Sequence, residues 1–336
     1  PEGCRRASAH GAGEGAGRTG AERSASTGFA ALCRKELTEH FSSTRVWLIF
    51  CLMFVVTAAS LNGAAGSLAD ALQSSQEYSF LKLFTTGGTS IYSFASFIAF
   101  LGPLIGITLG FDAINNEKAQ GTLIRLASQP IYRDAIINAK FLAGSAVIFL
   151  LMVFLGMLEV GAGILRTGLH PGAQEVGRIV VYILYSTVYC CVWLAVAVFF
   201  SVLCRHAATS AIACLSLWLF LTMFMPLLAS GIANAVYPLT GMGAYYNQVK
   251  NYSLQLGLAR VSPYYLYSEA VSTILNPSVR AVGLVTQSQT SGAVVSYLSL
   301  GQSLLLIMPH IVAMAAIGVT LFAVAYICFM KQEIRA

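Results

Sequence analysis

Six apolar stretches decide most of what this chain can become, because each is long enough to cross a hydrocarbon layer of about 30 Å as a helix of about 20 residues. They lie near Val46 to Gly63, Ile91 to Phe111, Phe141 to Leu165, Ile179 to Leu203, Ser210 to Ser230 and Gln302 to Met330. The period-two alternation of a membrane barrel is missing from them. Helices are then the remaining way to satisfy backbone polar groups in lipid. A mean hydropathy of +0.71, with 57% hydrophobic and only 10% charged residues, exceeds what a soluble domain needs for its core. The expected fold class is an all-α membrane protein with six transmembrane helices.

Basic residues give the expected orientation, since Lys and Arg are retained on the cytoplasmic side of short loops. With the N-terminus inside, only Lys82, Arg166, Arg178, Lys250, Arg260 and Arg280 of the 20 Lys and Arg fall outside, although the outside loops are the longer ones. Both termini are expected in the cytoplasm. This asymmetry accounts for the net charge of +6, so the charge does not point to nucleic acid.

Residues 1–28 are rich in Gly, Ala, Ser and Arg, with little to bury, and are expected to be disordered. They lack an initiator Met and the apolar core of a signal peptide. From Phe29 the pattern changes. Phe29, Leu32, Cys33, Leu37 and Phe41 recur at helical spacing, while Arg34, Lys35, Glu36 and Glu39 take the other face. Residues 29–45 are expected to form an interfacial elbow helix, lying flat in the inner membrane surface before Arg45 and Trp47 anchor the first span.

The outer loops are expected at 64–90, 166–178 and 231–301. Within the last, Ser262 can cap a helix that Pro263 begins and Asn276-Pro277 stops. Tyr245, Tyr246, Tyr252, Tyr264, Tyr265 and Tyr267 cluster there and are read as an interfacial belt in preference to a ligand site. Asn251-Tyr252-Ser253 matches a glycosylation sequon, a pattern too common to carry weight.

Three features inside the spans invite a role. Gly102, Gly106 and Gly110 form a strip on which another helix can approach, in this subunit or in a second one. Glu159 and His310 are ionisable groups embedded in apolar sequence, the usual mark of an intramembrane functional site. For Glu159 a carboxylate reaching water or pairing with Arg166 stands beside a transport role, and for His310 a helix-to-helix hydrogen bond is preferred to a proton relay.

Catalytic patterns are lacking. There is no His-Glu-x-x-His, no Gly-x-Ser-x-Gly, no cluster at metal spacing and no Lys after Gly to make a phosphate-binding loop. No catalytic residue, metal or directly bound cofactor is expected. Any nucleotide-driven work must come from another polypeptide. Cys4, Cys33, Cys51, Cys190, Cys191, Cys204, Cys214 and Cys328 all fall in inside or membrane segments, which excludes an exported disulfide-held domain.

The stretch from Asn115 to Lys140 gathers Glu117, Lys118, Arg125, Arg133, Asp134 and Lys140 between two apolar runs. Gly121 and the Gln129-Pro130 step break it into two short helices. Such a stiff hairpin joined to two spans can turn a push from a soluble partner into helix tilt.

This stretch, with Glu117, Gly121, Thr122, Leu123, Leu126, Pro130, Arg133 and Lys140, resembles the coupling loop of ABC-2-type transporter permeases. The segment around Arg34, Lys35, Glu36 and Arg45 is similar to that family's elbow helix, and the likeness runs from about Phe29 to Arg335. It implies a bacterial inner-membrane permease, paired with a second permease subunit and seated through loop 112–140, Arg125 included, on ABC ATPase subunits that bind ATP and Mg. An exporter is the implied activity, with residues 46–330 as transmembrane domain and 331–336 as cytoplasmic tail. Alternatives are an ATPase-driven transmitter acting on an envelope partner, or a self-sufficient channel or carrier.

Overall fold

The computed structural model describes residues 28–72, 78–85, 93–121, 133–240, 244–278 and 297–332, and among these every regular element is helical. Helix α1 (residues 28–42) is followed by α2 (Thr44–Leu72), a 3-10 turn (Ser79–Leu81), α3 (Lys82–Thr85), α4 (Phe94–Gly110) and α5 (Asn115–Ala119). Then come α6 (Arg133–Thr167), α7 (Ala173–Leu203), α8 (Ala207–Leu219), a π-turn (Phe220–Phe224) and α9 (Met225–Val236). The last three are α10 (Ala244–Ala259), α11 (Pro263–Leu275) and α12 (Leu300–Lys331).

Among the described residues six segments are long and apolar enough to span a bilayer: Thr44–Ala64, Phe94–Ala119, Arg133–Thr167, Ala173–Leu203, Ala207–Val236 and Leu300–Lys331. Each contains most of one apolar run, with two differences. Helix α6 starts at Arg133, ahead of Phe141, because Asp134 supplies a carboxylate for the first turn and accepts from the Ala135 N–H at 2.9 Å. The fifth span is not one continuous α-helix. Pro226 stands at the start of α9 and lacks the N–H that would continue the ladder, so the preceding turn widens to π geometry.

The fourth span, α7, is the central rod, with Tyr182, Tyr189, Cys190, Trp193, Leu194 and Ala197 at 0–1% exposure. In lipid no hydrophobic force drives helices together, so close packing of small residues does. The strip on α4 serves that end. A Cβ on Gly106 would stand 2.4 Å from the Cys190 carbonyl oxygen and 2.7 Å from Leu194 N, and one on Gly110 2.8 Å from Ala197 Cβ. Gly102 faces Cys190 Sγ at 3.2 Å. The strip is occupied by this chain's own fourth span, where Cys190 is a small packing residue.

The two ends of the bundle differ. The proximal end gathers α1, α5, the start of α6, the end of α7 and Gln332. The distal end carries α3, α10 and α11. There Tyr267 is fully buried and departs from the belt expectation: its ring stacks between Tyr185 at 5.7 Å and Tyr189 at 4.3 Å, and its hydroxyl meets Ser186 Oγ at 2.7 Å. Tyr245 and Tyr246, by contrast, are 83% and 80% exposed. Ser262 sits at the N-cap of α11 but its hydroxyl makes no capping bond, and Pro263 follows at the first helical position. Asn251 is buried, donating to Asn234 Oδ1 and the Tyr237 carbonyl at 2.8 Å each, which closes the sequon to modification in this fold.

Candidate functional site

The proximal end holds a buried ion cluster built by three elements. Glu36 of α1 follows Leu32 by four residues and therefore shares its inward face, so it is 4% exposed. The expectation that Glu36 lies on the outward face with Arg34, Lys35 and Glu39 is corrected on that ground. Lys140, two turns into α6, places its ammonium 2.9 Å from Glu36 Oε2 and 2.8 Å from Glu117 Oε1 of α5. Lys35 joins from the rim, 3.1 Å from Glu39, 3.4 Å from Glu36 and 3.7 Å from Glu117. Burial would pull the Lys35 ammonium down, but Glu39, Glu36 and Glu117 outweigh it and hold the group above its usual range.

The same end is tied to three further spans. Ser201 Oγ of α7 accepts from the Ile114 N–H at 2.9 Å and the Asn115 N–H at 3.3 Å. Lys118 donates to the Gln332 side chain and, at 3.5 Å, to the Val202 carbonyl, which also accepts from Gln332 Nε2 at 2.8 Å. Arg45 of α2 pairs with Asp112 at 2.7 Å and covers the Phe111 ring. Trp47 Nε1 donates to the Phe41 carbonyl across the break between α1 and α2. A cavity of about 120 Å³ opens beside the node, lined among others by Glu36, His40, Arg45, Asp112, Asn116 and Lys140. Burial holds the His40 imidazole below its ordinary range.

The remaining expected residues fall into place unevenly. Gly121 turns the chain with φ +68, a conformation that suits glycine. Arg133 is the first residue of α6, and Arg34 is exposed on α1. Thr122, Arg125 and Pro130 lie outside the described residues. For Glu159 the reading of a carboxylate at water or paired with Arg166 is corrected: it is 0% exposed, and Arg166 donates instead to Asn62 Oδ1 at 2.6 Å. His310 Nε2 meets Glu269 Oε2 of α11 at 2.9 Å, a bond between two helices. Arg260 completes that group, with Nε at 2.8 Å and Nη2 at 3.2 Å from the Glu269 carboxylate. Burial pushes the Glu269 carboxyl up, but His310 and Arg260 outweigh it and hold it below the usual carboxylate range.

Several anchoring residues escape a sequence reading. Arg178 counts in the sequence as an outer-loop cation, yet it is fully buried and donates to the carbonyls of Ile274 at 2.7 Å and Leu298 at 2.6 Å and to Ser303 Oγ at 3.1 Å. It caps the C-terminus of α11 and pins the start of α12. Ser201, Gln332 and Glu269 likewise show no local pattern, since Ile114, Val202 and His310, to which they bond in turn, lie 41 to 130 residues away. Among the described residues no group of three His, Cys, Asp or Glu could hold a metal ion.

Six candidate membrane-spanning helices among the described residues, with a charge-tied proximal end and a helical distal cap, mark a multi-spanning membrane protein. The chain belongs to the ABC-2 transporter family, whose model, described as ABC-2 family transporter protein, matches residues 30–334. It is 28% identical over 202 residues to the probable ABC transporter permease protein NosY of Pseudomonas aeruginosa, covering 58% of this chain and 67% of that relative. It is 30% identical over 199 residues to the protein of the same description from Stutzerimonas stutzeri, covering 57% and 66%. The match spans about two thirds of each relative's length.

Proposed function

We propose that this chain is the membrane subunit of an ATP-driven exporter in a bacterial inner membrane, working as a permease pair on ABC ATPase subunits that bind ATP and Mg. In this reading the proximal end is cytoplasmic, both termini lie inside, and α1 is the elbow helix in the inner interface. Loop 112–140 seats on the ATPase. The observation that carries the reading is Lys140 bridging Glu36 and Glu117, because one buried cluster thereby joins elbow, coupling loop and third span. A push on the loop cannot move α5 without moving α1 and α6, and Lys118 and Ser201 extend the same push to α12 and α7.

Co-purification tests this directly. The permease alone should hydrolyse no ATP, and a stoichiometric ATP-binding protein should accompany it from its native host. In the complex, Glu117→Ala or Arg133→Ala should leave hydrolysis running while transport stops. Wild-type coupling in both variants would remove the mechanical role assigned to the loop.

A second reading, a transmitter that moves no cargo but acts on an envelope partner, draws on the distal cap. There α11 is fastened to the sixth span through Glu269 and His310, and α10 presents Tyr245 and Tyr246 outward. Flux of cargo through the complex in liposomes separates exporter from transmitter.

A further inference from the structure

Glu159 takes no part in the proximal node. It lies on α6 about 12 Å along the helix from the distal end at Thr167. Its side chain has no exposure, and neither carboxyl oxygen has a hydrogen-bond partner among the described residues. Gly156 and Gly163 flank it at i−3 and i+4 on one face. Both are closely covered: a Cβ on Gly156 would lie 2.5 Å from Ile183 Cδ1 of α7, and one on Gly163 2.3 Å from Leu83 Cδ2 of α3. The two contacts close the carboxyl in between α7 and α3.

Tyr182 of α7, the residue before Ile183, is buried beside this site and interacts electrostatically with Glu159. Three further charged groups near this end are Lys82 beside Leu83 on α3, Arg166 on α6 and Glu175 on α7, while Arg178 of α7 is held by the carbonyls of Ile274 and Leu298. Arg166 serves Asn62, Glu175 accepts from the Phe80 and Gly172 N–H groups, and none of the three donates to Glu159. Helix α2 carries no Asp, Glu, Lys, Arg or His between Val46 and Ala64. An ionised carboxylate here would be a buried charge with neither donor nor counter-ion among the described residues, which a dry interior strongly disfavours. The neutral acid asks for far less.

We propose that Glu159 is a proton-binding site: it holds a proton in the closed arrangement described here and releases it to distal water when α6 parts from α3 and α7. The proton is taken from water at that end and returned to it, so no co-reactant is needed. The site rests on the packing alone; that its opening is driven by ATP rests on the coupling reading above.

Infrared spectroscopy tests it on the full chain. In lipid at neutral pH, the difference between wild type and Glu159→Gln should contain a protonated-carboxyl C=O band. In the complex trapped with a non-hydrolysable ATP analogue and Mg, that band should be lost. Should Glu159→Gln fail to fold, Glu159→Met, close in size and uncharged, serves as the blank. A resting spectrum without the band overturns the proposal outright, and a band unchanged by trapping overturns either the proton site or the coupling reading. In that last case Leu165→Cys, at a position 88% exposed near the same end, locates the fault. Unchanged labelling there means that coupling itself has failed, whereas changed labelling makes Glu159 a purely structural acid.

Discussion

Lys140 carries a different burden from an ordinary basic residue at a membrane surface. With side-chain exposures of 6% for Lys140, 5% for Glu36 and 11% for Glu117, the three groups have given up most of their water. Such a cluster is weak evidence for stability as a whole, but removing one member is costly because the others stay buried and uncompensated. Lys140→Met should therefore lower stability by about 3–5 kcal/mol, seen as a fall in melting temperature, and adding Glu36→Gln should recover part of it. A Lys140→Met protein as stable as wild type would show that water already neutralises the carboxylates. At the distal end, Glu269 gives a pH-dependent counterpart. Its carboxyl is held below the usual range by His310 and Arg260 against burial, with Tyr185 and Tyr265 as the other titratable neighbours. A depressed carboxyl contributes stability that is complete above the unfolded-state value and lost as pH falls through the folded one. Acidification through the carboxylate range should loosen α11 from the sixth span in wild type, and Glu269→Gln should flatten that acid limb of the melting curve. Residue roles like these were only partly legible. Lys140 and Glu117 stand out as charges between apolar runs, but Glu36 looks solvent-facing until its four-residue spacing from Leu32 is weighed. Arg178 reads as a loop cation because carbonyl ligands leave no mark in sequence.

Elements were more legible than residues, since a run of about 20 apolar residues has few alternatives to a spanning helix. What the runs do not encode is where each rod bends or which rod it touches. The π-turn before α9 follows from one proline, yet the same residue is equally compatible with a simple kink. The strip on α4 announces a close helix contact without naming the partner, and the fold supplies it in α7. The packing also ranks the three glycines. At Gly106 a methyl meets backbone atoms of Cys190 and Leu194 that cannot yield, whereas at Gly102 the nearest atom is the Cys190 sulfur at 3.2 Å. Gly106→Ala should thus destabilise by about 1–3 kcal/mol through overpacking, and Gly102→Ala by clearly less. Thermal unfolding of the two variants side by side checks this, and equal losses would mean that α4 shifts as a unit instead of being locked at one crossing point.

For the whole molecule, six candidate crossings among the described residues form one bundle, and the node makes its proximal end mechanically continuous. Glu36, Glu117, Lys140, Ser201 and Gln332 bring α1, α5, α6, α7 and α12 to a single junction, while α10 and α11 cap the opposite end. Work applied at one end can then reach the other through rods that are tied at both. Which end meets the cytoplasm follows only from the distribution of Lys and Arg, so it calls for its own measurement. Two exposed positions suit it: Glu39 on α1, with a side chain 56% exposed, and Tyr245 on α10, 83% exposed. In intact cells a membrane-impermeant thiol reagent should label Tyr245→Cys and leave Glu39→Cys untouched until the membrane is opened. The reverse pattern would place loop 112–140 outside, beyond the reach of any cytoplasmic ATPase, and the buried Lys140 cluster would then be a brace and not a lever.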